Sequence, residues 1–309
     1  MTANGQANPQ TTPKKSFSFF PHRPSEVQDE GRDPHALIKG DPLTGKFPTI
    51  NQIGLALFGV SLAVYLATMS WNAFPGLPVR MLVTHLKLEF TPPATDSLWG
   101  LMVRLASHLP GLSLAGWMGL ASAVCGAASV ALLGRLMIRV GYLIRNEPGE
   151  NSLRREAQAR RLSGLVSGMF LAFCVPFWVA STRSLPATFH VLLLLSAAWF
   201  FSQYQLWGKR RYLFLLGLLY GAGITEFATF IVFLPAAVFL VAREMFRWRS
   251  LGRWTARFAL WIGGLCGLSL YAFNAYVLYR RGLPLDLFAS PWAAGFQIVR
   301  EQMDLILRL

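Results

Sequence analysis

The sequence predicts an all-α, polytopic transmembrane helical bundle of about seven spans, and three observations carry that expectation. Of 309 residues, 53% are apolar and only 14% charged, against roughly a quarter charged in an ordinary soluble domain. The charges are clustered, leaving uncharged runs over 47–79, 106–134, 162–182, 184–208 and 258–279, and a run over 212–242 interrupted only by Glu226. Most of these reach the roughly 20 residues that a helix needs to cross about 30 Å of hydrocarbon. The basic connectors also sort into two groups along the chain, the signature of cytoplasmic and outer loops. A soluble enzyme is excluded.

In chain order, residues 1–47 contain Pro9, Pro13, Pro21, Pro24, Pro34 and Pro42 among frequent charges. Such a segment cannot bury enough apolar surface to offset chain entropy and is expected to be a disordered cytoplasmic tail. The transmembrane domain follows over 48–279. Its one awkward stretch is 212–242, which as a single helix rising 1.5 Å per residue would be about 46 Å long. A hairpin turning at Thr225 and Glu226 resolves this and gives seven crossings. It also places 21 of the 29 Lys and Arg on the side of the N-terminal tail and eight on the other. A single helix there would move five arginines to the outer face, against the positive-inside tendency. The N-terminus is therefore expected in the cytoplasm, and the chain in a bacterial cytoplasmic membrane. The formal charge of +14 would suggest nucleic acid in a soluble protein. Here it lies in the connectors, so the expected partner is the lipid bilayer and no nucleic acid.

The first outer connector carries Leu98, Leu101, Met102, Leu105 and Leu109 at helical spacing with Arg104 and His108 among them, and Thr95 or Asp96 as candidate cap. A helix lying in the membrane interface is predicted there, with a weaker version over 77–88. Residues 280–309 form an outer amphipathic tail, with Trp292, Phe296, Val299, Met303 and Ile306 on one stripe; this tail is read as the start of a further domain. Small residues recur every four positions at Gly119, Ala123, Ala127 and Ala131, at Gly164 and Gly168, at Gly217 and Gly221, and at Gly263 and Gly267. Such rows let helix backbones approach closely where lipid gives no hydrophobic drive, here within one bundle. Pro176 and Pro235 should bend their spans. Arg135 and Arg139 are read as snorkelling at the cytoplasmic end of the second span. Cys125, Cys174 and Cys266 sit inside apolar stretches, so no disulfide framework or thiolate metal site is implied.

No phosphate-binding glycine loop, dinucleotide fingerprint or zinc-protease motif occurs, so no cofactor or metal is evident. His190, near the outer end of the fourth span, is read as a histidine hydrogen-bonded to its neighbours. The outer acids are Glu89, Asp96, Glu226, Asp286, Glu301 and Asp304. An acid inside a hydrophobic hairpin must reach water or a partner. Glu226 is accordingly read as marking the solvated turn; as a functional residue it would pair with Arg183 or hold a cation at the membrane surface.

The order of pieces carries a resemblance. The stretches TPPATDSLWGLMVRLASHLPG (91–111), AFCVPFWVASTRSLPATFH (172–190) and GAGITEFATFIVFLP (221–235) resemble the bacterial domain-of-unknown-function 2723 family over 49–242. That family is related to protein O-mannosyltransferases and belongs to the GT-C class of membrane glycosyltransferases. The resemblance implies a polyprenyl-phosphate-sugar donor, transfer on the extracytoplasmic side, and an outer-loop acid as base. Position by position, the family's site residues are replaced. Its acids near the start of the first outer loop fall on 76–82, which holds none. Its histidine before two prolines falls on Thr91, the Glu of its Glu-Val-Tyr motif on Leu185, and its Asn-His pair on Glu226 and Phe227. Pro92, Pro93, Arg104, Trp178 and Pro235 survive, and these shape the fold.

Two functions follow. In one, the chain is a degenerate, non-catalytic member that binds carrier lipid or envelope partners. In the other, it is an active glycosyltransferase with a relocated acid, Asp96, Glu89 or Glu226, as base. Arg80, Lys87, Arg104 and Arg183 would then lie near the carrier phosphate. A transporter is disfavoured, because only Glu226 approaches the buried acids that an ion path requires.

Overall fold

A computed structural model gives the fold. It describes residues 49–72, 75–86, 96–143, 150–247, 253–280 and 290–307. The expected N-terminal tail lies outside them, as do Lys87 and Glu89. Every regular element among the described residues is helical. In order these are α1 (Ile50–Thr68), α2 (Leu77–His85), α3 (Ser97–Ala106), α4 (Leu114–Leu143), α5 (Glu150–Phe173), α6 (Val175–Ser181), α7 (Ala187–Trp207), α8 (Arg210–Glu226), α9 (Thr229–Arg247), α10 (Arg253–Arg280) and α11 (Pro291–Leu307).

Four helices, α1, α4, α7 and α10, are long and apolar enough to cross a membrane, and the bent pair α5–α6 makes a fifth. Their outward surfaces are apolar, with Phe170 77% exposed and Trp261 70%. Apolar surface of this extent on helices of spanning length is what a membrane protein presents to lipid. The remaining two of the expected seven crossings would be α8 and α9, the arms of the 212–242 stretch. Its break falls at Phe227 and Ala228, two residues beyond the expected turn, and α8 runs through Glu226. Past the break the chain doubles back: Phe230 packs on Gly223, and its carbonyl accepts from the Tyr220 hydroxyl at 2.8 Å.

The first span opens on a capping box, in which the Thr49 hydroxyl accepts from the Gln52 amide and the Gln52 side chain accepts from the Thr49 amide. It turns Ile53, Leu57, Ser61 and Tyr65 inward against α4 and α5. Pro176 acts through the hydrogen bond it cannot make. Lacking an N–H, it leaves the Ala172 carbonyl four residues earlier without its helical partner. The chain bends by 68° between α5 and α6, and the Tyr65 hydroxyl donates to the Ala172 carbonyl at 3.0 Å. A carbonyl freed in a dry interior needs such a substitute donor.

The small-residue rows pack within the bundle. A Cβ on Gly164 would lie 2.7 Å from the Gly134 carbonyl oxygen, so α4 and α5 touch backbone to backbone. The same holds for Gly217 and Gly221 of α8 against Gly263, Gly264 and Gly267 of α10. Arg139 lies over the Trp199 ring at 3.7 Å, and Arg135 crosses the face of Gly54, so both cover neighbouring helices. A helix forms at α3 as expected, Leu101 and Leu105 facing outward and Trp99, Val103 and Ala106 buried under α4. On α11 the stripe of Trp292, Phe296, Val299 and Met303 also faces outward, while Ala294 and Ile298 seat the helix on Ala275 of α10.

Candidate functional site

Three elements converge at one end of the bundle, and the side chains they bring together are Asp96, His190 and Glu226. Asp96 occupies the N-cap position of α3, His190 lies in the first turn of α7, and Glu226 is the last residue of α8. The sequence placed all three near the outer face but gave no sign that they touch.

Glu226 corrects the expectation of a solvated turn: it is 0% exposed. Its carboxylate accepts from the main-chain amides of Leu98 and, at 3.4 Å, Trp99, and its main-chain carbonyl accepts from the Asp96 amide at 3.1 Å. The first N–H groups of a helix have no partner within it and favour a negative group. Asp96, the expected cap, makes no side-chain cap bond. Glu226 takes its place from 130 positions along the chain, which holds the start of α3 to the span bundle.

Asp96 is released by that arrangement to face His190. Its backbone lies in the left-handed region at φ 65°, alone among the described non-glycine residues. This turns the carboxylate, 3% exposed, so that Oδ1 lies 2.8 Å from His190 Nε2. The imidazole is fixed by stacking on Phe227, with centroids 4.6 Å apart and planes 16° apart. Neighbouring polar groups complete the wall. The Ser97 hydroxyl donates to the Thr225 carbonyl at 3.5 Å and accepts from the Asn274 amide of α10. The Ile224 carbonyl accepts from the Gln302 amide of α11 at 2.7 Å and the Tyr271 hydroxyl at 3.2 Å.

Of the expected acids, the structure thus joins Asp96 and Glu226. Glu226 meets the Leu98 and Trp99 amides and lies beside the Asp96–His190 pair. His190, expected to hydrogen-bond its neighbours, stands 2.8 Å from the Asp96 carboxylate, a pairing that the residue spacing does not signal. Among the basic candidates, Arg80 is exposed on α2, Arg183 is half-buried after α6, and Arg104 is half-buried on α3. Burial holds the Arg104 guanidinium below the usual arginine range, and its Nε has no hydrogen-bond partner among the described residues.

The model of the protein O-mannosyl-transferase TMEM260 N-terminal domain matches residues 81–252, more than half of the chain. The chain belongs to that family. No curated protein and no solved structure matches it. The match agrees with the O-mannosyltransferase relationship read from the sequence, and its span takes in α3, α7 and α8, the elements that supply all three clustered side chains of this O-mannosyl-transferase family member.

Proposed function

We propose that the chain is a non-transferring member of its family, a seven-crossing protein of the bacterial cytoplasmic membrane with its N-terminus inside. In this reading it belongs with the domain-of-unknown-function 2723 relatives of the GT-C class, needs no cofactor, and binds a polyprenyl-phosphate carrier or an envelope partner at its outer face. The supporting observation is the condition of its acids. A general base must come within hydrogen-bond reach of the hydroxyl it deprotonates. Glu226 is fully enclosed with its carboxylate on two amides, and Asp96 is nearly enclosed beside His190. Both carboxylates serve the fold, and a scaffold outlives its chemistry readily. Arg104 supports carrier binding, since a phosphate would supply the acceptor its buried Nε lacks.

Purified protein given a radiolabelled polyprenyl-phosphate sugar is expected to bind the lipid without turnover, and more weakly in the Arg104→Gln variant. Sugar transfer abolished by Asp96→Asn or Glu89→Gln would overturn the proposal. It would favour the second reading, an active glycosyltransferase with a relocated base. The left-handed backbone of Asp96 supports that alternative, because strain of this kind gathers at functional sites.

The seven crossings have their own test. With the native cysteines removed, an impermeant maleimide added to intact cells is expected to label Arg80→Cys. Labelling of Arg249→Cys is expected only after permeabilisation. The reverse pattern, or both residues on one side, would sink the topology.

A further inference from the structure

We infer that Asp96, His190 and Glu226 form a binding site for one divalent transition-metal ion of the zinc class, which ties the outer-loop helix α3 to the spans. Each residue offers one ligand atom, and these atoms lie within 4.8 Å of one another. The donors are one imidazole nitrogen and two carboxylate oxygens, a set suited to a borderline divalent ion. Two ligands each about 2.1 Å from an ion stand about 3.4 Å apart at a tetrahedral angle and about 3.0 Å apart at a right angle. The 2.8 Å between His190 Nε2 and Asp96 Oδ1 is near the second value, and the set as a whole, within 4.8 Å, draws in on binding.

Geometry at the imidazole points the same way. His190 is 8% exposed, yet its Nε2 makes no hydrogen bond of acceptable alignment among the described residues, despite standing 2.8 Å from a carboxylate oxygen. The nitrogen is therefore not aligned on the Asp96 oxygen it stands beside, and a Glu226 oxygen lies within 4.8 Å of it. Stacking on Phe227 fixes the ring in that attitude. On binding, the neutral ring carries its proton on Nδ1 so that the Nε2 lone pair reaches the ion. Any proton on either carboxyl is released to solvent. Glu226 continues to accept from the α3 amides through lone pairs not given to the metal. The inference holds whether or not the protein transfers sugar.

The test uses the full chain in detergent, stripped with chelator and titrated with Zn²⁺, with Co²⁺ as a spectroscopic probe. One equivalent is expected to bind, with visible Co²⁺ absorption and a rise in thermal midpoint. His190→Gln is expected to weaken this binding by more than about tenfold. The other histidines, His22, His35, His85 and His108, are common to both proteins, so adventitious binding cancels in the comparison. Should His190→Gln misfold, Asp96→Asn replaces it, with helicity by circular dichroism as the criterion of folding. Equal Zn²⁺ and Co²⁺ uptake by wild type and a folded variant, or no uptake by folded wild type, would overturn the inference. Neither outcome bears on turnover, which is measured separately with the sugar donor.

Discussion

Replacing Glu226 with alanine is expected to lower the unfolding free energy of the solubilised protein by about 3 kcal/mol, near the top of the range for single substitutions. The carboxylate is fully buried and accepts from the Leu98 and Trp99 amides. Alanine leaves both donors without their acceptor, that of Trp99 buried, and a buried unmet donor costs about 1–3 kcal/mol. It also opens a void among Trp99, Phe227 and His190, adding a packing loss. Glu226→Gln keeps one acceptor oxygen, so its expected loss is smaller, about 1 kcal/mol. Denaturant titration followed by circular dichroism measures both. If Glu226→Ala proved as stable as wild type, the cross-chain cap would be wrong, and α3 would be anchored by its apolar face alone. Hydrogen exchange separates these alternatives, because loss of the cap should raise exchange at Leu98 and Trp99 before it affects the α4 core.

The contrast between what the sequence displayed and what it concealed follows the range of each interaction. Helices were legible because hydrophobic period and span length are local properties: the leucine spacing over 98–109 foretold the helix α3. Pro176 was legible as a bend for the same reason. That its freed carbonyl would be taken by Tyr65, more than a hundred positions earlier, was not. Glu226 is the sharpest case. An acid within an apolar run has two solutions, water or a buried partner, and the run itself cannot say which. The deciding partners are main-chain amides at Leu98 and Trp99, and amides have no sequence signature. His190 and Asp96 were concealed likewise, since residue types alone do not report that a left-handed backbone at Asp96 swings its carboxylate from cap to imidazole. The break between α8 and α9 came two residues later than expected because the helical register of α8 continues until Glu226 has met the amides it caps.

The second large effect is expected at the contact between α8 and α10, where two neighbouring glycines should respond oppositely to one methyl group. A Cβ on Gly263 would lie 2.1 Å from the Phe214 carbonyl oxygen and 3.0 Å from the Leu218 amide nitrogen, whereas a Cβ on Gly264 meets nothing within 4 Å. Both substitutions to alanine gain the same helix propensity, up to about 1 kcal/mol in an aqueous helix, so their difference isolates the interhelical clash. The obstacle at Gly263 is backbone, which cannot rotate aside, and relief requires the two helices to separate. Overpacking of this kind costs about 1–3 kcal/mol, and in lipid the lost close contact is not recovered by hydrophobic burial elsewhere. Gly263→Ala is therefore expected to be destabilised by about 2 kcal/mol and Gly264→Ala to be neutral or slightly stabilised. Unfolding in mixed micelles with rising dodecyl sulfate would read both. Separation of α10 would also draw Asn274 from Ser97 and Tyr271 from Ile224, so Gly263→Ala should loosen the α3 anchor from a distance. Equal stabilities for the two variants would mean that α8 and α10 do not touch backbone to backbone, and the small-residue rows would then lose their role in holding together the cluster at Asp96, His190 and Glu226.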